Sequence, residues 1–286
     1  MRYSESHEHR HAAIMTLRMH RPGPPLDRFI ECFWHNEGDQ APHRRERLLP
    51  NGSFALLFNL GGDRLRRFAD DADREGQALS GAAICGVQTS YAVRDTSRPR
   101  TVLGVHFRPG GAAPLLGLPA SLLTDRHAAL DDFWGARARE LHERLMEAST
   151  AEARFRLIER ALLARLEQRR AHHPAVSYAL RQLSASPALL RIAAVREKTG
   201  YGAKRFIALF RDSVGVAPKM FCRVRRFQGV IELLSRGTPV EWSHVALDGG
   251  FSDQPHLNRE FRAFAGITPL QYRPVTQDRP NHVAIK

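Results

Sequence analysis

Apolar positions along this chain fall into two regimes. From about residue 20 to 147 they come in short runs broken by Gly and Pro. "SFALLFNLGG" (53–62) and "TVLGVHFRPGG" (101–111) predict strands that end in turns. "LDDFWGARARELHERLMEA" (130–148) predicts a helix. A second follows in 151–170, where Phe155, Ile158, Leu162 and Leu166 make one apolar stripe among arginines. "AHHP" (171–174) breaks that helix. From Pro174 to Arg273 nearly every apolar position recurs at helical spacing. The implied divisions are a flexible arm (1–19), a β-rich domain (20–147), a helical connector (148–173), a helical domain (174–273) and a polar tail (274–286) expected to fray. The fold class expected is α+β: a mixed, β-rich N-terminal domain, then an all-α C-terminal domain.

The helical domain repeats itself. Gly200-Tyr201 aligns with Gly250-Phe251, Phe206 with Leu257, Phe210-Arg211 with Phe261-Arg262, Gly215 with Gly266 and Pro218 with Pro269. Each copy has the pattern of a helix-turn-helix: a short helix (190–198 or 242–248), a turn glycine suited to positive φ, then a second helix. Ser252 or Asp253 can cap the second copy, with Pro255 in the first turn. The second helices bury Phe206 and Phe210, or Leu257, Phe261 and Phe264. Lys204, Ala208 and Arg211, and Gln254, Asn258, Arg259 and Arg262, point away from that core. Between the copies, residues 218–237 predict an amphipathic helix stopped by Gly237. Eighteen such residues span about 27 Å, which suits two heads about one DNA turn, ~34 Å, apart. The domain is thus two helix-turn-helix subdomains joined by a linker helix.

Charge sharpens this reading. The formal net charge is +13. Residues 174–273 hold 15 Lys/Arg against 7 Asp/Glu, most of the excess. A basic helical domain favours nucleic acid as partner. The three cysteines, Cys32, Cys85 and Cys222, are too far apart for a zinc ribbon, and a reducing cytoplasm is the expected home. No apolar run approaches the ~20 residues that span a bilayer, so no membrane partner is expected.

"GGFSDQPHLNREFRAFAGITPLQYR" (249–273) resembles the signature of AraC-type transcriptional regulators, and the resemblance covers about residues 174–273. It implies recognition helices near 203–212 and 254–264. Arg196 departs from the family, which usually carries a small residue there; an outward lean to a phosphate, or a looser first subdomain, is expected. "RLLPNGSFALLFNLGG", "GVQTSY", "GVHFRPGGAAPLLGLPA" and "LDDFWG" resemble uncharacterised domains that precede this module, where such regulators place a sensing or dimerising domain.

The residues expected to meet DNA follow. Arg211, Arg223, Arg225, Arg226 and Arg262 are phosphate candidates. Gln254, His256, Asn258 and Arg259 are base-edge candidates, as are Lys204, Arg205 and Ala208 on the first helix. Trp34, Glu46, Arg47, Asn51 and His106 are candidates for a small-molecule effector site, each also readable as core or turn. "HEHRH" (7–11) reads as a tail rather than a metal site, and no cofactor or metal is expected. G-x-S-x-G is not completed at "GFSDQ" (250–254), and neither GxGxxG nor a P-loop occurs. The expected function is sequence-specific transcription regulation gated by a small molecule. The partners expected are double-stranded DNA, an effector, a second copy of the chain and RNA polymerase. Two rivals stay open: an enzyme targeted to DNA, and a constitutive DNA-binding protein whose N-terminal domain only dimerises.

Overall fold

Two packed sheets precede the helices. The computed structural model describes residues 16–285, except 39–40, 62–63, 80, 99, 167–172, 188–190 and 238–239. Its N-terminal half contains β1 (Thr16–His20), β2 (Ile30–Gly38), β3 (Arg45–Leu48), β4 (Ala55–Asn59), β5 (Leu65–Phe68), β6 (Gln77–Leu79), β7 (Ala82–Cys85), β8 (Ala92–Asp95), β9 (Arg100–Phe107) and β10 (His127–Ala129). The helices interleaved with and following them are α1 (Ala112–Leu116), α2 (Asp131–Trp134), α3 (Ala136–Glu147) and α4 (Ala151–Leu166). The C-terminal half holds α5 (Pro174–Ala185), α6 (Ile192–Thr199), α7 (Ala203–Val214), α8 (Pro218–Ser235), α9 (Trp242–Asp248), α10 (Gln254–Ala265) and a last strand, β11 (His282–Ile285).

One sheet has the order β1-β2-β9-β4-β7-β10, the other β11-β3-β8-β5-β6, and the pairings are antiparallel. Because successive strand side chains face opposite ways, register assigns each residue a face. In the larger sheet, Phe33, Val105, Leu56 and Ile84 lie opposite one another in one row, as do His35, Leu103, Phe58 and Ala82 in the next. The apolar residues of these rows form one core with Leu115, Leu141, Leu145, Phe155, Ile158 and Leu162 of the helices. The other face carries Trp34, Gly104, Leu57 and Ala83, then Cys32, His106, Ala55, Cys85 and His127. Trp34 lies flat on Gly104: a Cβ there would sit 2.0 Å from the indole. Leu65 and Leu79 of the smaller sheet close over this face.

The helical half is docked on this body. Phe206, Phe210, Val214 and Phe221 share one core with Phe54, Val87 and Leu123 of the N-terminal half. Thr124 donates to the carbonyl of Gly215, and Ser121 to Asp212 at 2.8 Å. The second subdomain buries Val224, Phe227, Phe261 and Phe264 together with Leu49 and Val283.

Three expectations need correction. The helix over 130–148 is split at Gly135, whose φ of 60° and ψ of −140° break the backbone path between α2 and α3. Residues 16–19 of the expected arm are edge strand β1; residues 1–15, with "HEHRH", lie outside the described residues. The tail is not frayed: β11 pairs with β3, Val283 opposite Arg47, and Tyr272 Oη donates to Pro280 O at 2.7 Å. Polar composition hid a four-residue strand whose one buried apolar side chain, Val283, suffices to dock it. Leu190, Ala171 and His172, on which helix boundaries were placed, also fall outside the described residues.

Burial and the neighbouring Arg67 charge push the His127 imidazole down to about 3. An unfolded histidine takes up its proton near 6.5, so His127 withholds in the folded chain a proton that the unfolded chain binds. Its contribution to stability is full above about 6.5 and is lost progressively as pH falls toward 3. The urea midpoint of the chain should therefore fall over that window, and His127→Gln should flatten the fall.

Candidate nucleic-acid interface

Each helix-turn-helix is assembled by the same local devices. Gly200 and Gly250 have φ of 74° and 72°, and turn the chain between α6 and α7 and between α9 and α10. Gly215 and Gly266, at 97° and 70°, close α7 and α10 in left-handed geometry, donating to Arg211 O and Arg262 O. Asp253 caps α10 by accepting from His256 N at 2.6 Å; Gly202 begins α7 with no side-chain cap. Each helix then sinks an aromatic stripe. Phe206 and Phe210 pack on Phe221 of α8 in the first subdomain; Leu257, Phe261 and Phe264 pack on Phe227 in the second.

The opposite stripe of α7 leaves Lys204, Arg205, Ile207 and Arg211 exposed and Ala208 half-buried. That of α10 leaves Gln254, Arg259 and Arg262 exposed and Asn258 half-buried. Two helices of 12 residues each thus present a basic and amide-bearing face. A helix of this width fits the major groove, and its Gln and Arg side chains can make paired hydrogen bonds to adenine and guanine edges.

The other four candidates have structural employment or a different setting. Arg223 grips Glu260 of α10 through two hydrogen bonds of 2.8 Å. The pair raises the arginine and holds the carboxyl below its usual range. Arg226 donates to Gly250 O at 2.6 Å and lies over the Phe251 ring, so it fastens the second turn. His256 turns back on the helix start, its Nδ1 3.2 Å from Ser252 N and 3.0 Å from Ser252 Oγ. Arg225 is half-buried with its Nε unpaired. Arg196 is half-buried, its Nε sealed from solvent and its Nη2 3.1 Å from Glu197.

The five effector candidates do not form one cluster. Glu46 and Arg47 are neighbours on β3 and point to opposite faces. Arg47 pairs with Asp71 and lies over Tyr91. Asn51 accepts from Ser53 N at 3.0 Å and shapes a turn. Trp34 and His106 share the inner face of the larger sheet, with ring centroids 6.1 Å apart. Glu46, 1% exposed, faces inward from the smaller sheet and is held by His43 (2.6 Å), Arg94 (2.6 Å) and His282 (3.0 Å). Sequence reasoning missed Arg67, Arg94, His127 and His282, which join this interior. Their strands are three or four residues long, and an arginine there reads as solvated until register shows its face.

Residues 195–274 match a family described as a helix-turn-helix domain. This region is an AraC-type helix-turn-helix domain. Upstream of the AraC-type domain, residues 18–129 match a domain of unknown function, DUF6597. No curated protein matches the chain. Among solved structures the chain is similar to ToxT from Vibrio cholerae O395, at 11% identity and a TM-score of 0.46, over 84% of this chain and 96% of that one. It is also similar to unsaturated fatty acid-bound ToxT from Vibrio cholerae strain SCE256, at 10% identity and 0.48, over 84% and 94%. The AraC-like transcriptional activator CuxR is similar at 14% identity and 0.30, over 74% and 86%. No helix among the described residues is long and apolar enough to cross a membrane.

The Arg223–Glu260 pair makes a checkable claim about the AraC-type domain. Its side chains are 28% and 16% exposed, so its coupling should be about 1 kcal/mol. A double-mutant cycle of Arg223→Met and Glu260→Gln, read by urea denaturation, should return a coupling of that size.

Proposed function

We propose that this chain is a sequence-specific DNA-binding transcription regulator whose N-terminal domain gates it in response to a small molecule. The observation that carries the reading is the duplicated frame of α7 and α10. Both are closed by left-handed glycines, both pack an aromatic stripe on α8, and both leave a basic stripe open. Lys204, Arg205 and Arg211 on one helix, and Gln254, Asn258, Arg259 and Arg262 on the other, are the residues offered to DNA. Arg211 and Arg262 occupy the same place in each copy and suit phosphates; Gln254 and Arg259 suit base edges. Arg223 and Arg226 act one step back, holding α10 and its turn. The docking of both subdomains on the N-terminal half supports gating, because a ligand can switch a protein only by favouring one of its states.

Selection of bound sites from random duplex DNA tests the reading: an enriched motif is expected, and its absence would leave only non-specific binding. On the selected site, Arg259→Ala should cost about 1–3 kcal/mol and relax the preference at one base. Arg262→Ala should instead weaken binding to all sequences alike and lower the salt slope by about 1.

A further inference from the structure

The exposed stripes of α7 and α10 are built on one frame but do not carry the same chemistry. Phe206 and Phe210 of α7 take the places of Leu257 and Phe261 of α10, so the copies lie 51 positions apart. That offset sets Arg211 on Arg262, Ala208 on Arg259 and Ile207 on Asn258. Each stripe thus ends in an exposed arginine. The middle differs. In α10 it holds an amide and a guanidinium, which donate hydrogen bonds. In α7 it holds two side chains with no polar atom.

Ile207 is 44% exposed. A single exposed apolar side chain is ordinary on a protein surface; its position is what counts. Lys204, Ile207, Ala208 and Arg211 fall at i, i+3, i+4 and i+7 and line up on one side of α7. Leu209 lies on another side and packs on the first core. Asp212, three residues beyond Leu209, accepts the hydrogen bond from Ser121 of the N-terminal half at 2.8 Å. Ile207 and Ala208 are left on the open side, between two cations.

A DNA duplex offers such a patch one kind of partner. Every base edge in the major groove presents hydrogen-bonding groups, and an apolar side chain can answer none of them. Thymine alone adds a methyl group there. We infer that α7 reads thymine through its C5 methyl, with Ile207 as the specificity-determining contact and Ala208 letting the base edge come close. Lys204 and Arg211 flank the pair with positive charge. This rests on the proposed DNA-binding function and assigns a base to its first helix. The two halves of the bound sequence are then unlike: a methyl is read under α7, and hydrogen-bonding edges under α10.

The test uses the full chain and the duplex that selection enriches. Each thymine is replaced in turn by deoxyuridine, which removes the methyl and keeps every hydrogen-bonding group. At least one replacement should weaken binding about fourfold, the worth of one buried methyl. In Ile207→Ala that penalty should vanish, and in Arg259→Ala it should persist. Ile207→Asn, which copies the amide of the second helix, should also lose the penalty, and selection repeated with it should no longer favour thymine at that position. Circular dichroism verifies that each variant is folded; if Ile207→Ala is not, Ile207→Asn decides. A duplex that tolerates uracil at every thymine, a penalty unchanged in the folded Ile207 variants, or one that disappears in Arg259→Ala instead would overturn the inference. The regulator reading would still stand on the enriched motif. Selection that enriches no motif would overturn both.

Discussion

The arrangement of the helical half depends on α8 being buried on more than one side. Phe221 meets Phe210, at 5.7 Å between ring centroids, in the first subdomain. Phe227 meets Phe261 at 5.2 Å and Phe264 at 5.1 Å in the second. One rigid rod therefore belongs to two cores, and neither α7 nor α10 can rotate about it without opening an aromatic contact. The rod also faces the N-terminal half. Gln228 donates to Pro50 O and to Asn281 Oδ1, each at 2.8 Å, and Val224 lies within van der Waals reach of Gly52. The placement of both exposed basic stripes is set by these contacts rather than by the exposed residues themselves.

How far each part was legible in the sequence follows from how local its cause is. The repeat could be read because a turn glycine, a cap and an aromatic stripe are determined within a dozen residues; α7 and α10 begin where those signals place them. The strands could not be read as well. β3, β5, β6 and β8 are three or four residues long, and their pairing is set by partners elsewhere in the chain. Among the interface candidates, those that face solvent, such as Gln254 and Arg259, were legible from helical spacing. Arg223 and Arg226 were not, because their partners lie 37 and 24 residues away. An arginine on an amphipathic helix looks the same in sequence whether it waits for a phosphate or holds its own fold.

The interior between the sheets shows the same limit at greater depth. Burying Glu46 costs solvation, which its contacts with Arg94, His43 and His282 offset, leaving its carboxyl below the usual range. His282, half-buried beside it, is driven by burial down to about 4. The imidazoles of His106 and His35 are lowered by burial as well. Burial likewise drives the Cys32 thiol up to about 11. Charge in this space is thus concentrated on Glu46 and its arginine neighbours, while burial favours the neutral forms of His106, His127 and His282 and of the Cys32 and Cys85 thiols.

The pairing of β11 with β3 bears on the order in which the molecule comes together. Glu46 and His282 are 236 residues apart in the chain. The first half, as it leaves the ribosome, has an open sheet edge and a carboxylate lacking one of its three partners, until α1 to α10 have all been made. Closing so long a loop is entropically slow. The two halves are therefore not finished in turn: β11, which follows α10 in the chain, completes the first domain, and a chain cut before β11 would show an unpaired β3 to its neighbours.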